Sequence, residues 1–178
     1  MADIFGKMGA RVLSADRFAH EVFRKKNRIH RLVRSLFPEI KGGFTRQKVA
    51  RIVFQDSGRR RALESLIHPY VFGRIREELK KMRGGVAVLE IPLLFETGFQ
   101  KDCDRTLVVK ASEEKVLDRL LARGFSRAEI KSRRRAQWPA EEKLKRADYV
   151  VDNSDGRRKT ERQAKKIWRK IQKQFFKI

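Results

Sequence analysis

The sequence has few of the residues that mark special classes of protein. Among 178 residues there are 1 Cys, 4 Pro and 11 Gly, which excludes a disulfide scaffold, a collagen-like chain and a low-complexity chain. Because Cys103 has no second cysteine to pair with, we expect a reducing compartment, the cytoplasm. No apolar run approaches the roughly 20 residues that span a bilayer, and residues 1–10 lack the apolar stretch of a secretory signal.

Acidic residues are also scarce. Only 22 Asp and Glu stand against 45 Lys and Arg, which gives a formal net charge of +23 at pH 7. Leu, Ile, Val and Phe nevertheless number 50, enough for the core of one domain of this length. Such a charge favours anionic partners, although a solubilising surface explains it equally well. The segment Arg157–Lys177 is the most basic, and its apolar spacing predicts a helix that docks on the domain or, alternatively, binds RNA or a membrane surface.

Apolar periodicity predicts short strands that alternate with helices, and therefore an α/β fold with a parallel sheet. Two of the predicted strands are nearly continuous apolar runs, typical of strands covered on both faces. The predicted strands are Arg11–Leu13, Val86–Ile91, Arg105–Lys110 and Tyr149–Val151. The predicted helices include Ala2–Met8, Phe18–Lys25, Ile29–Phe37, a helix capped by Thr45, Arg59–Ile67, a new helix opened by Pro69, and helices that begin near Ser112, Ser126 and Pro139.

Polar residues follow three of these strands, where parallel α/β proteins bind their ligands. Asp16, Glu96 and Asn153 lie at or just beyond those positions. A carboxylate there can accept a proton from a substrate hydroxyl. For Asp16 the alternative is an N-cap of the following helix, and Glu96 is interpreted as an ordinary loop acid.

Three further side chains are candidates on weaker patterns. His68 precedes a proline and either serves a ligand or only satisfies local backbone groups. Arg119 and Arg123 are four residues apart, on one helix face, where two guanidiniums can grip a phosphate or simply face solvent. No Cys/His cluster fits a zinc site, and no Ser-His-Asp order stands out.

Taken in order, these segments resemble the dephospho-coenzyme A kinase family over nearly the whole chain. The His-Pro, Pro-Leu-Leu-Phe-Glu and Ala-Asp-x-Val-x-Asp-Asn blocks are specific as an ordered set. The matching blocks are Gly6–Asp16, Phe44–Arg46, Leu66–Pro69, Leu89–Glu96, Arg119 with Arg123, Ala136-Gln137 and Ala147–Asn153.

The resemblance implies a P-loop fold like that of nucleoside monophosphate kinases, with a parallel core sheet, a helical substrate-binding insertion and a helical lid. It implies one domain over residues 1–178, with a core of 1–16, 84–112 and 147–178, a substrate part of 17–83 and a lid of about 119–146. The implied reaction uses ATP with Mg²⁺ to phosphorylate the ribose 3′-hydroxyl of dephospho-CoA, the last step of coenzyme A biosynthesis. The implied protein is a cytoplasmic monomer with no membrane or specific nucleic-acid partner.

The resemblance also implies roles for individual residues. Asp16 matches the catalytic base, although Ser14 replaces the first acid of the family's Asp-x-Asp element. The remaining matches are Arg46, His68 and Pro92 on the substrate side, Arg119 and Arg123 in the lid, and Asn153 near the adenine end of the nucleotide site.

One family feature has no match in residues 1–178. Family members begin with a strand and a loop of the pattern G-x-x-x-x-G-K-[ST], whereas here Gly6-Lys7 is followed by Met8. That loop supplies backbone amides, a Lys and the Ser or Thr that holds Mg²⁺. We therefore expect a kinase that is short at its N-terminus and inactive or impaired by itself. The alternatives are a non-catalytic paralogue that binds a nucleotide or CoA-like ligand, and a basic RNA-associated protein.

Overall fold

The structure, a computed structural model, describes residues 1–24 and 26–176 and confirms the predicted α/β class. Two compact units compose it, Met1–Gly9 with Pro92–Ile178 and Ala10–Ile91. The strands are β1 Arg11–Ser14, β2 Ala87–Glu90, β3 Leu107–Lys110 and β4 Tyr149–Asp152. The α-helices are α1 Ala2–Lys7, α2 Ala15–Arg24, α3 Arg28–Ser35, α4 Arg46–Gln55, α5 Ser57–Lys80, α6 Glu113–Ala122, α7 Arg127–Arg135, α8 Ala140–Arg146 and α9 Arg157–Phe176. Lys25, Lys177 and Ile178, which the predicted segments include, lie outside the described residues.

In the Ala10–Ile91 unit, β1 and β2 form a two-stranded parallel sheet. Arg11 lies opposite Ala87, and the N–H of Arg11 donates to the carbonyl of Val86 at 2.9 Å. An ion pair of 2.6 Å joins the Arg11 guanidinium to Glu78, so the first strand is also tied to α5.

The helices of this unit surround one buried cluster, and their ends are set by polar caps. Asn27 Oδ1 accepts the N–H of His30 at 3.0 Å, and Thr45 Oγ1 accepts the N–H of Lys48 at 3.3 Å, as predicted for Thr45. Each cap satisfies one of the amides that a helix start leaves without a partner. The cluster consists of Val22, Val33, Phe37, Phe44 and Val49.

Helix α5 is continuous, so the prediction of two helices that part at Pro69 was wrong. A proline inside a helix removes one hydrogen bond and crowds the preceding turn, which costs about 3 kcal/mol. Val71 and Ile75, farther along the helix, are buried, and α2, α3 and α4 all pack on α5. Burial of one such side chain contributes about 1.5–3 kcal/mol, so packing along the helix offsets the local cost.

In the other unit, β3 and β4 pair in parallel with Leu107 opposite Tyr149. The residues that precede these strands, Thr106 and Asp148, are linked by three hydrogen bonds. The N–H and the hydroxyl of Thr106 both donate to Asp148 Oδ2 at 2.7 Å, and the N–H of Asp148 donates to Thr106 Oγ1 at 3.1 Å. The side-chain bond from Thr106 is the largest cause of a lowered pKa for Asp148.

Helix α9 docks on this unit, as its apolar spacing predicts. Its buried side chains are Thr160, Ala164 and Ile167, and Trp168 contacts Phe5 of α1 with ring centroids 6.1 Å apart. None of the described helices, α9 included, has the length and apolar character of a membrane span.

Serines begin two of the remaining helices, at the positions that the sequence predicts. Ser112 Oγ accepts the N–H of Lys115 at the start of α6. Ser126 and Glu129 form a reciprocal capping box at the start of α7, and the bonds from Ser126 lower the pKa of Glu129. Such caps stabilise a helix end by about 1 kcal/mol.

Each of the two apolar strands pairs in parallel with its neighbour, as predicted, but the prediction that both strands are buried was wrong. No residue of β2 or β3 is fully buried, and Val109 is 42% exposed. Within the described residues each strand has one hydrogen-bonded neighbour. A continuous apolar run is typical of a central strand that is covered on both faces, whereas a strand with a single neighbour lies at the edge of its sheet and is more exposed.

We expect Thr106→Val to lower the free energy of unfolding by about 1–3 kcal/mol, because it leaves polar partners of Thr106 unpaired. Thr106 is 7% exposed, so water replaces the hydroxyl poorly. Urea denaturation measures the loss, and Thr106→Ser, which keeps the hydroxyl, is the control.

The pKa of Asp148 sets the pH dependence of this effect. A carboxyl with a lowered folded pKa stabilises the protein above its ordinary pKa of about 4, and the stabilisation is lost as pH falls through the folded pKa. The difference in the free energy of unfolding between Thr106→Val and the parent protein should therefore become smaller at acidic pH. Equal stability of the two proteins at pH 7 would contradict the prediction.

Candidate active site

Polar groups follow β3 and β4 where the carboxyl ends of these strands lie side by side. The N–H of Asn153 donates to the carbonyl of Lys110 at 2.8 Å and so extends the parallel ladder past β4. The Lys110 ammonium lies 3.3 Å from the carboxylate of Asp152. Parallel α/β proteins bind ligands at this edge, so the strand ends form a candidate site.

A hydrogen-bonded network fixes the two loops at this edge. Asp152 Oδ1 accepts the N–H of Ser154 at 2.9 Å, and Ser154 Oγ accepts the N–H of Ser112 at 3.0 Å. Hydrogen bonding to Ser154, followed by Lys110, lowers the pKa of Asp152 to about 2, so this carboxylate is ionised at neutral pH. Gln163 of α9 exchanges two further bonds with the Asp152 backbone.

Arg119 and Asn153, two predicted site residues, are in direct contact. Arg119 Nη2 donates to the backbone carbonyl of Asn153 at 3.1 Å. Asn153 Oδ1 accepts the hydroxyl of Thr160 at 2.9 Å, which leaves the amide nitrogen to offer donors. Arg123, the second predicted arginine, is the exposed C-cap residue of α6. Arg119 therefore lies beside the residues that follow β4, and Arg123 lies one turn farther along α6.

A cationic cleft of about 530 Å³ opens beside α6 and α7. Leu117 and Ile130 give it an apolar floor. Its cations lie on successive turns of α7, with the last two adjacent in sequence, and this density of basic residues is the sequence signal that would have identified them. They are Arg127, Lys131, Arg134 and Arg135.

Asp16 lies in the first turn of α2, directly after β1, and is exposed. Since α2 begins at Ala15, Asp16 is inside the helix, and the alternative role as its N-cap does not hold. The partial positive charge of a helix start favours a carboxylate at this position. An exposed acid directly after a strand suits a base that receives a hydroxyl proton.

Arg46 and His68 lie on two helices that pack against each other in the same unit. Arg46 is the exposed first residue of α4. His68 lies inside α5, not at a helix boundary, and stacks on Phe72 with ring centroids 5.8 Å apart. Burial lowers the pKa of His68, although the nearby Glu64 carboxylate raises it in part. The imidazole is therefore neutral at pH 7, and can either donate or accept a hydrogen bond.

Glu96 is a structural anchor, so its interpretation as an ordinary loop acid was wrong. Its Oε1 accepts the N–H of Trp138 and the ammonium of Lys143, both at 2.7 Å. The Phe95 ring stacks on Trp138 with centroids 6.5 Å apart. The loop that begins with the exposed Pro92 is thereby fastened to the start of α8. Partners that lie more than 40 residues apart leave no local signal in the sequence.

The structure brings some predicted site residues together and distributes the others. Arg119 and Asn153 are in contact, whereas no hydrogen bond or ion pair links Asp16, Arg46 and His68 to one another in the part of the chain that the structure describes. The Ala10–Ile91 unit carries Asp16, Arg46 and His68, and the other unit carries Pro92, Arg119, Arg123 and Asn153.

No cluster of three or more His, Cys, Asp or Glu side chains is arranged to hold a metal ion within residues 1–24 and 26–176.

Parallel strands with polar groups at their carboxyl ends and a cationic helical segment nearby define an α/β protein of the phosphate-binding type. A family model described as dephospho-CoA kinase matches residues 1–159. The chain belongs to the dephospho-CoA kinase family.

Individual relatives agree with this assignment. The chain is 35% identical to the dephospho-CoA kinase of Aquifex aeolicus, covering 96% of this chain and 90% of the relative. It is 39% identical to a dephospho-CoA kinase of Thermus thermophilus, covering 94% and 82%. A crystal structure from Thermus thermophilus matches with a TM-score of 0.83 at 38% identity, covering 96% and 88%. The dephospho-CoA kinase of Campylobacter jejuni shares the fold, with a TM-score of 0.62 at 24% identity.

We expect Glu96→Ala to lower the free energy of unfolding by about 3 kcal/mol. Lys143 and Glu96 have side chains only 13% and 11% exposed, and removal of one partner of a buried ion pair costs about 3–5 kcal/mol. Glu141→Ala, which removes an exposed acid of α8, is the control, and chemical denaturation is the measurement. Glu96→Gln should lie between them, because it keeps an acceptor for Trp138. A loss for Glu96→Ala no larger than the control would contradict the anchor.

Proposed function

We propose that this chain carries the acceptor side and the lid of a dephospho-CoA kinase, which transfers the γ-phosphate of ATP to the ribose 3′-hydroxyl of dephospho-CoA. Family membership over residues 1–159 is the observation that carries the proposal. The reacting hydroxyl loses a proton and gains a phosphoryl group, and ADP leaves. Positioning and charge stabilisation supply most of the catalysis in such reactions.

Asp16 accepts the proton of the acceptor hydroxyl in this proposal. Its exposed carboxylate in the first turn of α2 is accessible to a substrate. Arg46, His68 and Pro92 bind the dephospho-CoA. A neutral His68 and a cationic Arg46 suit a ligand that combines polar groups with phosphates.

Arg119 and Arg123 neutralise charge on the phosphoryl group during transfer, and Asn153 binds the nucleotide base. The contact of Arg119 with the Asn153 carbonyl supports a shared location. Because Oδ1 of Asn153 is engaged with Thr160, its amide nitrogen is the group that would donate to a ring nitrogen of the base. The cations of α7 add positive potential to the same segment.

Mg²⁺ arrives with ATP as part of the co-substrate and screens its phosphates. The described residues form no metal-binding cluster, so no step is assigned to a metal held by this chain. We also propose a monomer in the cytoplasm, in keeping with the single cysteine.

Asp16→Asn should lower kcat about 100-fold or more in a version of the protein that carries the family's strand and phosphate loop upstream of Met1. The amide keeps the size of the side chain but accepts no proton. A coupled ADP-release assay with dephospho-CoA measures turnover, and Asp104→Asn, at an exposed acid of the other unit, is the control. Near-normal kcat for Asp16→Asn would remove this residue from the mechanism.

Residues 1–178 by themselves should release ADP at the background rate. They contain no G-x-x-x-x-G-K-[ST] segment, and therefore neither its amide cradle nor its Lys. The assay compares residues 1–178 with the extended version, each with and without Mg²⁺. Comparable turnover by the two proteins would contradict the proposal that the loop is needed.

A further inference from the structure

Helix α9 presents a line of five cations to solvent. Arg158, Arg162, Lys165, Arg169 and Lys173 are exposed, and each is three or four residues from the next, so all five share one helix face. We call this set the cationic ridge. It spans about 22 Å at 1.5 Å per residue, with roughly one cation on every turn.

Part of the apolar face of α9 is buried against the protein, while Phe175 and Phe176 at its C-terminal end are exposed. Ala164 and Ile167 are buried on the side opposite the ridge, and Trp168 packs on Phe5. The docked face fixes the rotation of the helix, so the ridge is held outward in one orientation.

The ridge cations have no carboxylate partner within 4 Å in the described part of the chain. The cations of α9 that do form ion pairs lie beside the ridge: Arg157 pairs with Glu161 at 2.8 Å and Lys159 with Asp155 at 2.5 Å. The helix carries nine basic residues and one acid. Its outer face therefore carries a large excess of positive charge, although the Glu161 carboxylate interacts electrostatically with Lys165.

We propose that the cationic ridge binds the phosphodiester backbone of nucleic acid without regard to sequence. A duplex carries one phosphate per 3.4 Å of each strand, so about six phosphates of a strand lie within the length of the ridge. This surface is separate from the strand-end residues of the kinase site and does not depend on the proposed function.

A nucleic-acid backbone fits the ridge better than a membrane surface does. A helix that lies on a bilayer buries its apolar face among the lipids. In α9, Ala164 and Ile167 are buried against the domain, so only Phe175 and Phe176 at the end of the helix leave exposed apolar rings, and the ridge itself consists only of cations. The ridge is a row of positive charges, and it is complementary to the row of negatively charged phosphates along a nucleic-acid strand.

The test uses residues 1–178 and a fluorescent DNA duplex of mixed sequence, of about 20 base pairs, titrated at several salt concentrations. Each phosphate contact contributes a slope of about −0.9 to log K against log salt. Five contacts predict a roughly 500-fold loss of affinity between about 50 and 200 mM salt. The triple variant R162Q/K165Q/R169Q should retain only about a 12-fold loss over the same range.

The control variant R31Q/R51Q/R61Q removes the same charge from exposed positions of the Ala10–Ile91 unit. It should keep the steep salt dependence, and R162K/R169K should keep it as well, because lysine also releases counterions. Circular dichroism verifies that each variant is folded. The proposal would be overturned if the ridge and control triple variants reduced the slope of log K against log salt equally, or if neither variant reduced it. Tighter binding to phosphatidylserine vesicles than to the duplex, lost only in the ridge variant, would overturn it in favour of a membrane.

Discussion

The register between β3 and β4 is the constraint on which the polar groups of the strand-end site depend. Thr106 and Asp148 fix the register where the strands begin, and the bond from Asn153 to Lys110 continues it where they end. A slip by one residue exchanges the faces of every side chain in a strand. It would expose the fully buried Val151 and would separate Asn153 from Arg119. The ends of a short parallel pair therefore carry both its stability and its site.

Several arginine side chains stack on aromatic rings, which stabilises part of the large positive charge of the chain. The guanidinium of Arg34 lies 5.9 Å from the Phe44 ring centroid, and that of Arg133 lies 4.7 Å from Phe125. Arg146 covers Trp138 at 4.9 Å, beside the Glu96 anchor. Such pairs contribute about 0.5–1 kcal/mol each at exposed sites, and they hold a long side chain in place without a carboxylate. This arrangement lets a chain with few acids order its arginines.

Local chemistry made much of the fold predictable from the sequence. Thr45, Ser112 and Ser126 begin helices as predicted, because a cap acts on amides only two or three residues away. The resemblance supplied Arg119 and Asn153 separately, and their contact came only from the fold. The residues near Pro69 in the sequence do not indicate that α5 continues past the proline, because the helices that stabilise it there are packed on it only in the fold. The same limit hid the anchor of Glu96, whose partners lie in a distant segment.

The two sets of cations in the Met1–Gly9 and Pro92–Ile178 unit differ in how they are held, and this difference separates their proposed uses. A group that stabilises a moving phosphoryl must be fixed within about 0.5 Å, and Arg119 has a backbone acceptor that restrains it. Binding by counterion release needs only closely spaced charges, with no fixed geometry for each. The ridge side chains, which lack carboxylate partners among the described residues, meet that weaker requirement. Exposed charges are screened beyond about 10 Å at 0.1 M salt. We therefore expect added salt to weaken phosphate binding by the ridge more than it weakens the hydrogen bond of Arg119 to Asn153.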